Sequence, residues 1–349
     1  MLLNVENYFF MMIKIRPYVV SIYLFFKFRI EIIRTYIYLI KSGFINKNHL
    51  IIPLDSKQKI NFPDYKAHIA NPSITNLDNK IFGVARISNA TYEIFADFAG
   101  RPIQLYRKRE LPHVSGVISF QTNMLGEVLN LFEIHNLSEI PNYEDPRVFL
   151  YKNKKFLAMT YNTNPKPYTK ERWKCTMAIE NLESGEIFKL TSPLGKGIEK
   201  NWTPIEGFEK ITLLYSSNPI SILEIDWENK LTKLITKNQE SPIQLNNRTQ
   251  MIRTPHPLIP LLRIGSKKFA HRKYGYTPFH YFEIFSNELD LLHTSKPFIF
   301  SSVRMEICHG ILIQKENLVL SWTEDERTNM IGSIQLDAIL KLFDSVLHK

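Results

Sequence analysis

The chain has 349 residues, 44% of them hydrophobic and 22% charged, with a net charge of +10. That is enough apolar content for a sizeable core, arranged as one large domain or two ordinary ones. Two cysteines, Cys175 and Cys308, exclude a disulfide framework and a CxxC metal pair, and they point to a reducing, cytoplasmic setting. No Walker loop, GxGxxG or HExxH occurs, and no Lys/Arg block with interleaved aromatics argues for nucleic acid. The positive excess suits anionic partners such as phosphates or acidic lipid.

Residues 1–43 differ in texture from the rest of the chain, carrying six lysines and arginines against Glu6 and Glu31. Their longest uncharged run, Pro17 to Phe26, is too short to span a bilayer, and no small-residue cleavage site comes after it. At 100° per residue Arg16, Lys27, Glu31, Arg34 and Lys41 share one stripe of a helix, and the other faces are mainly Ile, Leu, Phe, Tyr and Val. The expectation is an amphipathic helix ended by Ser42-Gly43, either lying on a membrane surface or packed on the domain's own flank. Residues 44–64 read as a linker and 65–349 as the main domain.

From about residue 60 the pattern becomes short β-type runs parted by Asn, Asp, Gly and Pro, which predicts an all-β domain. Five segments repeat one plan of polar opening, apolar strand, polar turn and second strand. They open at Asn71-Pro72, Asp145-Pro146, Asn201-Trp202, Pro255-His256 and His309-Gly310. Between Asn71, Asp145, Asn201, His256 and His309 the steps are 74, 56, 55 and 53 residues. A four-stranded propeller blade takes roughly 40–50 residues plus loops, so the repeat predicts a five-bladed β-propeller with an insertion in its first unit. That insertion contains Leu125–Phe132, read as a short helix or a loop over the pocket. In the fourth unit Gly265-Ser266-Lys267-Lys268 reads as the turn. The end of the chain reads as a helix after Asp337.

In a propeller equivalent positions of all blades converge on the axis. The pocket would then hold Arg86, Asn89, Asp145, Arg147, Lys200, Asn201, His271, Tyr281 and Asp325, with Trp202 and Trp322 as walls. Aromatic faces pack against sugar rings and Asn/Asp read hydroxyls, while Lys, Arg and His hold phosphate. Each residue also has a plainer role: the asparagines as turn formers, Trp202 as core, Asp325 as part of a solvated charge run. An Asp at the mouth of a strand, with Arg147 two residues on, has the geometry for acid/base work.

With Glu144-Asp145-Pro146-Arg147 opening one blade, Lys200-Asn201-Trp202-Thr203-Pro204 the next, and Ser321 to Asp325 leaving the last, the chain resembles glycoside hydrolase family 130. These are β-mannoside phosphorylases and related β-mannosyltransferases on a five-bladed propeller, and the resemblance covers roughly residues 65–340. It implies an enzyme that transfers or phosphorolyses β-mannosyl units with Asp145 as general acid. It also implies Lys200, His271, Tyr281 and Arg86 on phosphate, and Asn89 and Asp325 on the mannosyl ring. An acid of this kind must hold its proton part of the time, so burial or Glu144 is expected to raise the pKa of Asp145. No metal or cofactor is implied; inorganic phosphate, a sugar phosphate or a nucleotide sugar would be substrate, beside an oligosaccharide. The chain departs from the phosphorylase pattern at Tyr215-Ser216, where His-Arg is usual, and offers only Arg172 for an arginine of the second blade. Both departures favour the transferase branch. The readings that remain beside it are a β-mannoside hydrolase and a non-catalytic propeller that binds a glycan or a protein.

Overall fold

The computed structural model describes residues 51–65, 67–77, 80–96, 102–109, 114–135, 143–162, 175–191, 193–195, 199–271, 275–300, 306–324 and 327–343. The helix expected over residues 1–43 lies outside them. Among the described residues no helix is long and apolar enough to cross a membrane.

β1 (Ser56–Lys59) comes first but belongs to the last blade. Blade 1 is built from β2 (His68–Leu77), β3 (Lys80–Ser88), then, after a separate hairpin of β4 (Ala90–Ala96) and β5 (Pro102–Arg109), β6 (Ser115–Thr122) and β7 (Val128–His135). Blade 2 is β8 (Tyr143–Tyr151), β9 (Lys154–Asn162), β10 (Cys175–Asn181) and β11 (Ile187–Lys189). Blade 3 is β12 (Thr203–Ile205), β13 (Ile211–Ser217), β14 (Ile220–Asp226) and β15 (Leu231–Thr236). In blade 4 a broken inner strand, β16 (Asn246–Asn247) and β17 (Ile252–Arg253), pairs with β18 (Leu261–His271), followed by β19 (Gly275–Phe285) and β20 (Leu291–Thr294). Blade 5 is β21 (Glu306–Gln314), β22 (Asn317–Glu324) and β23 (Thr328–Gln335), with β1 as its outermost strand, paired Ser56↔Ser333 to Lys59↔Met330. A short helix α1 (Leu336–Leu340) comes after β23. The molecule is a five-bladed β-propeller, and the stretch read as a linker supplies the strand that closes its ring.

The strands are apolar on both faces because both faces of each blade are covered by its neighbours. Five apolar wedges fill the five gaps. Ile74, Ile118 and Phe120 of blade 1 meet Leu312, Val319 and Ile331 of blade 5, and Phe82 and Val117 meet Val148 and Met159 of blade 2. Phe149 and Met177 face Trp202 and Leu213; Leu214 and Ile222 face Leu261 and Phe285; Leu262 and Phe282 face Cys308 and Trp322. The first turn of blade 2 has left-handed residues at Lys152 and Asn153, as a two-residue hairpin requires.

Three expectations change. Leu125–Phe132 is not helical: Val128–His135 is the edge strand of blade 1, with Leu129 and Phe132 on its exposed side. The extra length of the first unit is instead the β4–β5 hairpin. In blade 4, residues 265–268 are not a turn. Strand β18 runs through them, pairing from Leu261↔Phe285 to His271↔Gly275.

Beneath the site, Gln250 of blade 4 crosses the axis and donates from Nε2 to the carbonyls of Ile74 and Ile311, both at 2.6 Å. At the far end Glu206 accepts the Leu150 N–H at 3.1 Å, with the Thr75 hydroxyl as a second donor. Burial raises its pKa from 4.5 to about 7, against both hydrogen bonds. A raised folded-state value means that the protonated fold is favoured at low pH and that this advantage is lost as pH climbs from about 4.5 through about 7. Glu206→Gln is therefore expected to leave Tm nearly unchanged at pH 5 and to raise it by a few degrees at pH 8. Equal Tm differences at the two pH values would contradict a buried, titrating Glu206.

Candidate active site

The inner strands begin at one face of the ring, and three of them are deformed there at matching points. Pairing skips between Ala70 and Ser73, between Glu144 and Arg147, and between Cys308 and Gly310. These bulges put Asn71, Asp145 and His309 at the axis. Asn71 and Asp145 have φ of 61° and 49°, and Asn201 in blade 3 has 63°. Asn and Asp are the side chains that best tolerate this region, and the prolines after Asn71 and Asp145 lack the N–H that a regular ladder would demand. The repeat in the sequence is thus a repeat of strand deformations.

Asp145 Oδ1 accepts a hydrogen bond from Asn71 Nδ2 at 2.9 Å and lies 3.6 Å from Arg86 Nη1. Asn71 is held in turn by blade 5: its N–H donates to Thr323 Oγ1 (3.0 Å), Thr323 donates to Asn329 Oδ1 (3.1 Å), and Asn329 donates to the Ile69 carbonyl (2.9 Å). The Asp145 side chain keeps 17% of its surface exposed, so one side of the carboxyl is open.

Burial alone would raise the pKa of Asp145. Arg86, with Lys200 and Arg147, outweighs it and holds the carboxyl well below the usual range. This reverses the sequence-based expectation. Cations from blades 1, 2 and 3, not Glu144, dominate its surroundings.

Arg147 is fully buried under the acid. Its Nε donates to the Arg248 carbonyl at 2.6 Å, Nη1 to the Asp145 carbonyl at 3.4 Å, and Nη2 to Asn201 Oδ1 at 3.0 Å. It ties blades 2, 3 and 4 together, and Asn201 is its partner. Lys200 is exposed at the same opening and acts on Asp145 electrostatically.

The other expected residues divide. The phenol of Tyr281 is buried, its pKa pushed up by burial, and its hydroxyl has no hydrogen-bond partner among the described residues. The side-chain oxygen of Asn89 accepts the Val114 N–H at 3.0 Å, and its own N–H donates to the Val114 carbonyl, stapling the neck where the β4–β5 hairpin leaves blade 1. Trp202 is 2% exposed and packs on Tyr215 with ring centroids 5.1 Å apart; Trp322 is wholly buried and stacked on Phe300. Neither indole is a pocket wall, because both fill gaps between blades. His271 ends β18, and its side chain lies outside the described parts, as do Asp325 and Arg172. His256 does not open blade 4 at the axis. Its Nε2 lies 3.2 Å from Asp337 Oδ1 in a groove with Pro255 and Glu316.

The position equivalent to the openings of the other blades falls instead at Arg248, between β16 and β17, whose Nε donates to Ser266 Oγ at 2.6 Å. Sequence reading passed over Arg248 and used His309 only as a repeat marker. The available signal was the polar run Asn246 to Gln250, which fits an axis-facing segment better than the proline-rich stretch after it. At Tyr215, the hydroxyl donates to Glu199 Oε1 at 2.5 Å, so this side chain supports the loop carrying Lys200.

No protein-family model matches the sequence, and no curated protein does. Solved structures do match in fold. One described as showing that the family 130 mannoside phosphorylases contain glycoside hydrolases targeting β-1,2 mannosidic linkages in Candida mannan aligns at TM-score 0.54 and 11% identity, covering 83% of this chain and 97% of that one. The β-1,2-mannobiose phosphorylase of Listeria innocua aligns at 0.53 and 11%, covering 86% and 98%. A glycosyl hydrolase of Bacteroides ovatus aligns at 0.52 and 12%, covering 83% and 97%. The chain therefore has the five-bladed propeller fold of these mannoside phosphorylases.

Proposed function

We propose that the protein is a carbohydrate-active enzyme that cleaves or transfers β-mannosyl units at the axial pocket, with Asp145 as general acid. The observation that carries this reading is the Asp145 carboxyl, open on one side at the axis, gripped by Asn71 and Arg86 and surrounded by cations from three blades. A propeller that only bound a neutral glycan would have no use for that charge. In the phosphorolytic form, a phosphate oxygen bonds to the anomeric carbon while the bond from that carbon to the leaving oxygen breaks. The leaving oxygen takes the proton of Asp145, which a proton from solvent or incoming phosphate restores. Arg86 and Lys200, with His271 and Tyr281, hold the phosphate, and Asn89 and Asp325 hold the mannosyl ring.

The test is product analysis with β-mannooligosaccharides, with and without inorganic phosphate, and with mannose 1-phosphate or GDP-mannose plus acceptors. The expected result is turnover of a β-mannoside, and mannose 1-phosphate formed only when phosphate is present would make the protein a phosphorylase. Release of mannose by water alone would make the protein a hydrolase, chain extension from the nucleotide donor alone a transferase, and no turnover a binding propeller. Lys200→Ala is expected to raise KM for phosphate about tenfold, the value of one charge-assisted hydrogen bond, and to change affinity for a neutral mannoside less than twofold. Equal losses would take Lys200 out of the anion site.

A further inference from the structure

His309 is the marker of blade 5, and the chemistry proposed for the pocket leaves it idle. It sits on the bulge of β21, where pairing jumps from Cys308↔Trp322 to Gly310↔Ser321. Both flanks of the bulge are fixed. The Cys308 N–H donates to His280 Nε2 at 3.3 Å, and a side chain at Gly310 would collide with the backbone nitrogen of Ile74 in the first blade. His309 is 2% exposed, yet neither Nδ1 nor Nε2 has a hydrogen-bond partner among the described residues. An imidazole buried without partners gives up the water on both nitrogens and gains nothing in return. Such an arrangement persists where a ligand supplies what the fold does not.

Its bulge is the counterpart of the one that carries Asp145, and Asp145, Arg147, Arg248 and Arg86 all act on the ring electrostatically. Burial and the three guanidiniums keep it neutral despite Asp145. A neutral imidazole offers one N–H donor and one bare nitrogen acceptor. Phosphate has little to give that acceptor, and the guanidiniums already serve anions. A sugar hydroxyl, which donates and accepts, matches both nitrogens.

We propose that His309 is a sugar-hydroxyl ligand of the axial pocket, contributed by blade 5, which binds the mannosyl unit next to Asp145 and sets its position for proton transfer. This rests on the β-mannosyl reading of the pocket.

The experiment compares wild type, His309→Ala and His309→Asn, after thermal melts confirm folding. It measures calorimetric binding of inorganic phosphate and of β-1,2-mannobiose, and turnover of the disaccharide and its monodeoxy analogues. His309→Ala is expected to weaken disaccharide binding about tenfold, the value of one buried hydrogen bond, and to leave phosphate binding within twofold. His309→Asn, which keeps a donor and an acceptor, is expected to recover part of the loss. On one deoxy analogue His309→Ala should cost nothing further, which identifies the hydroxyl; a merely structural histidine would penalise every analogue equally. Unchanged disaccharide binding in a folded His309→Ala, or a loss confined to phosphate, overturns the proposal while the β-mannosyl reading stands. A wild-type protein that neither binds nor turns over any β-mannoside overturns both.

Discussion

Replacing Asp145 by Asn is expected to lower turnover of a β-mannoside by about a thousandfold while the sugar still binds, because a positioned acid contributes 10²–10⁴ in rate. The substitution is nearly isosteric, and an amide oxygen can still accept from Asn71, whose posture depends on Thr323 and Asn329 rather than on the carboxylate. Folding should therefore survive, and a Tm within a few degrees of wild type is part of the expected result. The electrostatics add a second readout. The cations hold the Asp145 carboxyl ionised, which is the wrong state for an acid. A phosphate held by Arg86 and Lys200, as proposed, would offset their charge, so that the carboxyl's pKa would rise on binding and a proton would be taken up. Since the bound state is the one with the raised pKa, phosphate affinity is greatest at low pH and declines as pH rises through the bound-state value. Calorimetry in two buffers of different ionisation enthalpy measures that proton directly. Wild type should take it up and Asp145→Asn should not. Retained activity in Asp145→Asn would end the acid assignment, and equal proton uptake in both proteins would end the linkage.

The largest expected effect on stability lies between blades 3 and 4. Arg263 and Glu283 are wholly buried and form an ion pair there, with Asn247 Oδ1 accepting from Arg263 and Ser241 donating to Glu283 at 3.2 Å. Glu283→Ala should cost about 3–5 kcal/mol, because it strands a guanidinium in an apolar wedge beside Leu261 and Phe285. Removing both charges by Arg263→Met with Glu283→Leu should recover most of that, since two charges withdrawn together leave nothing unpaired. Urea melts of the single and double variants decide it. A single variant losing under about 1 kcal/mol would mean that water reaches the pair.

The propeller was legible in the sequence because its evidence is local and repeated. Lys152-Asn153 and Lys315 are left-handed turn residues in short polar breaks, and Asn71-Pro72 and Asp145-Pro146 mark bulges. Blade 4 misled for a physical reason. Its inner strand is broken and polar, so Pro255-His256 looked more like an opening than Asn246 to Gln250 did, and the period absorbed an error of eight residues, His256 for Arg248. Trp202 and Trp322 were placed on the wrong side of their strands because blades buried on both faces have no alternation to tell axis from gap. The state of Asp145 was out of reach altogether. It depends on Arg86 and Lys200, which lie 59 and 55 residues away along the chain.

The closing strand has a bearing on how the protein comes into being. Ser56 meets Ser333 across 277 residues, and Asn71 takes its N–H partner from Thr323 across 252. During synthesis the first blade must wait, the face that packs on blade 5 bare, until nearly the whole polypeptide has left the ribosome, and β1, made first, is paired last. Contacts of such sequence separation are costly to form and come late. The Asp145 carboxyl is aligned by the same late event, through Asn71. A nascent or truncated chain can thus carry every residue of blades 1 to 4 and still leave the Asp145 carboxyl unaligned, so that the axial site is complete only once the circle is shut.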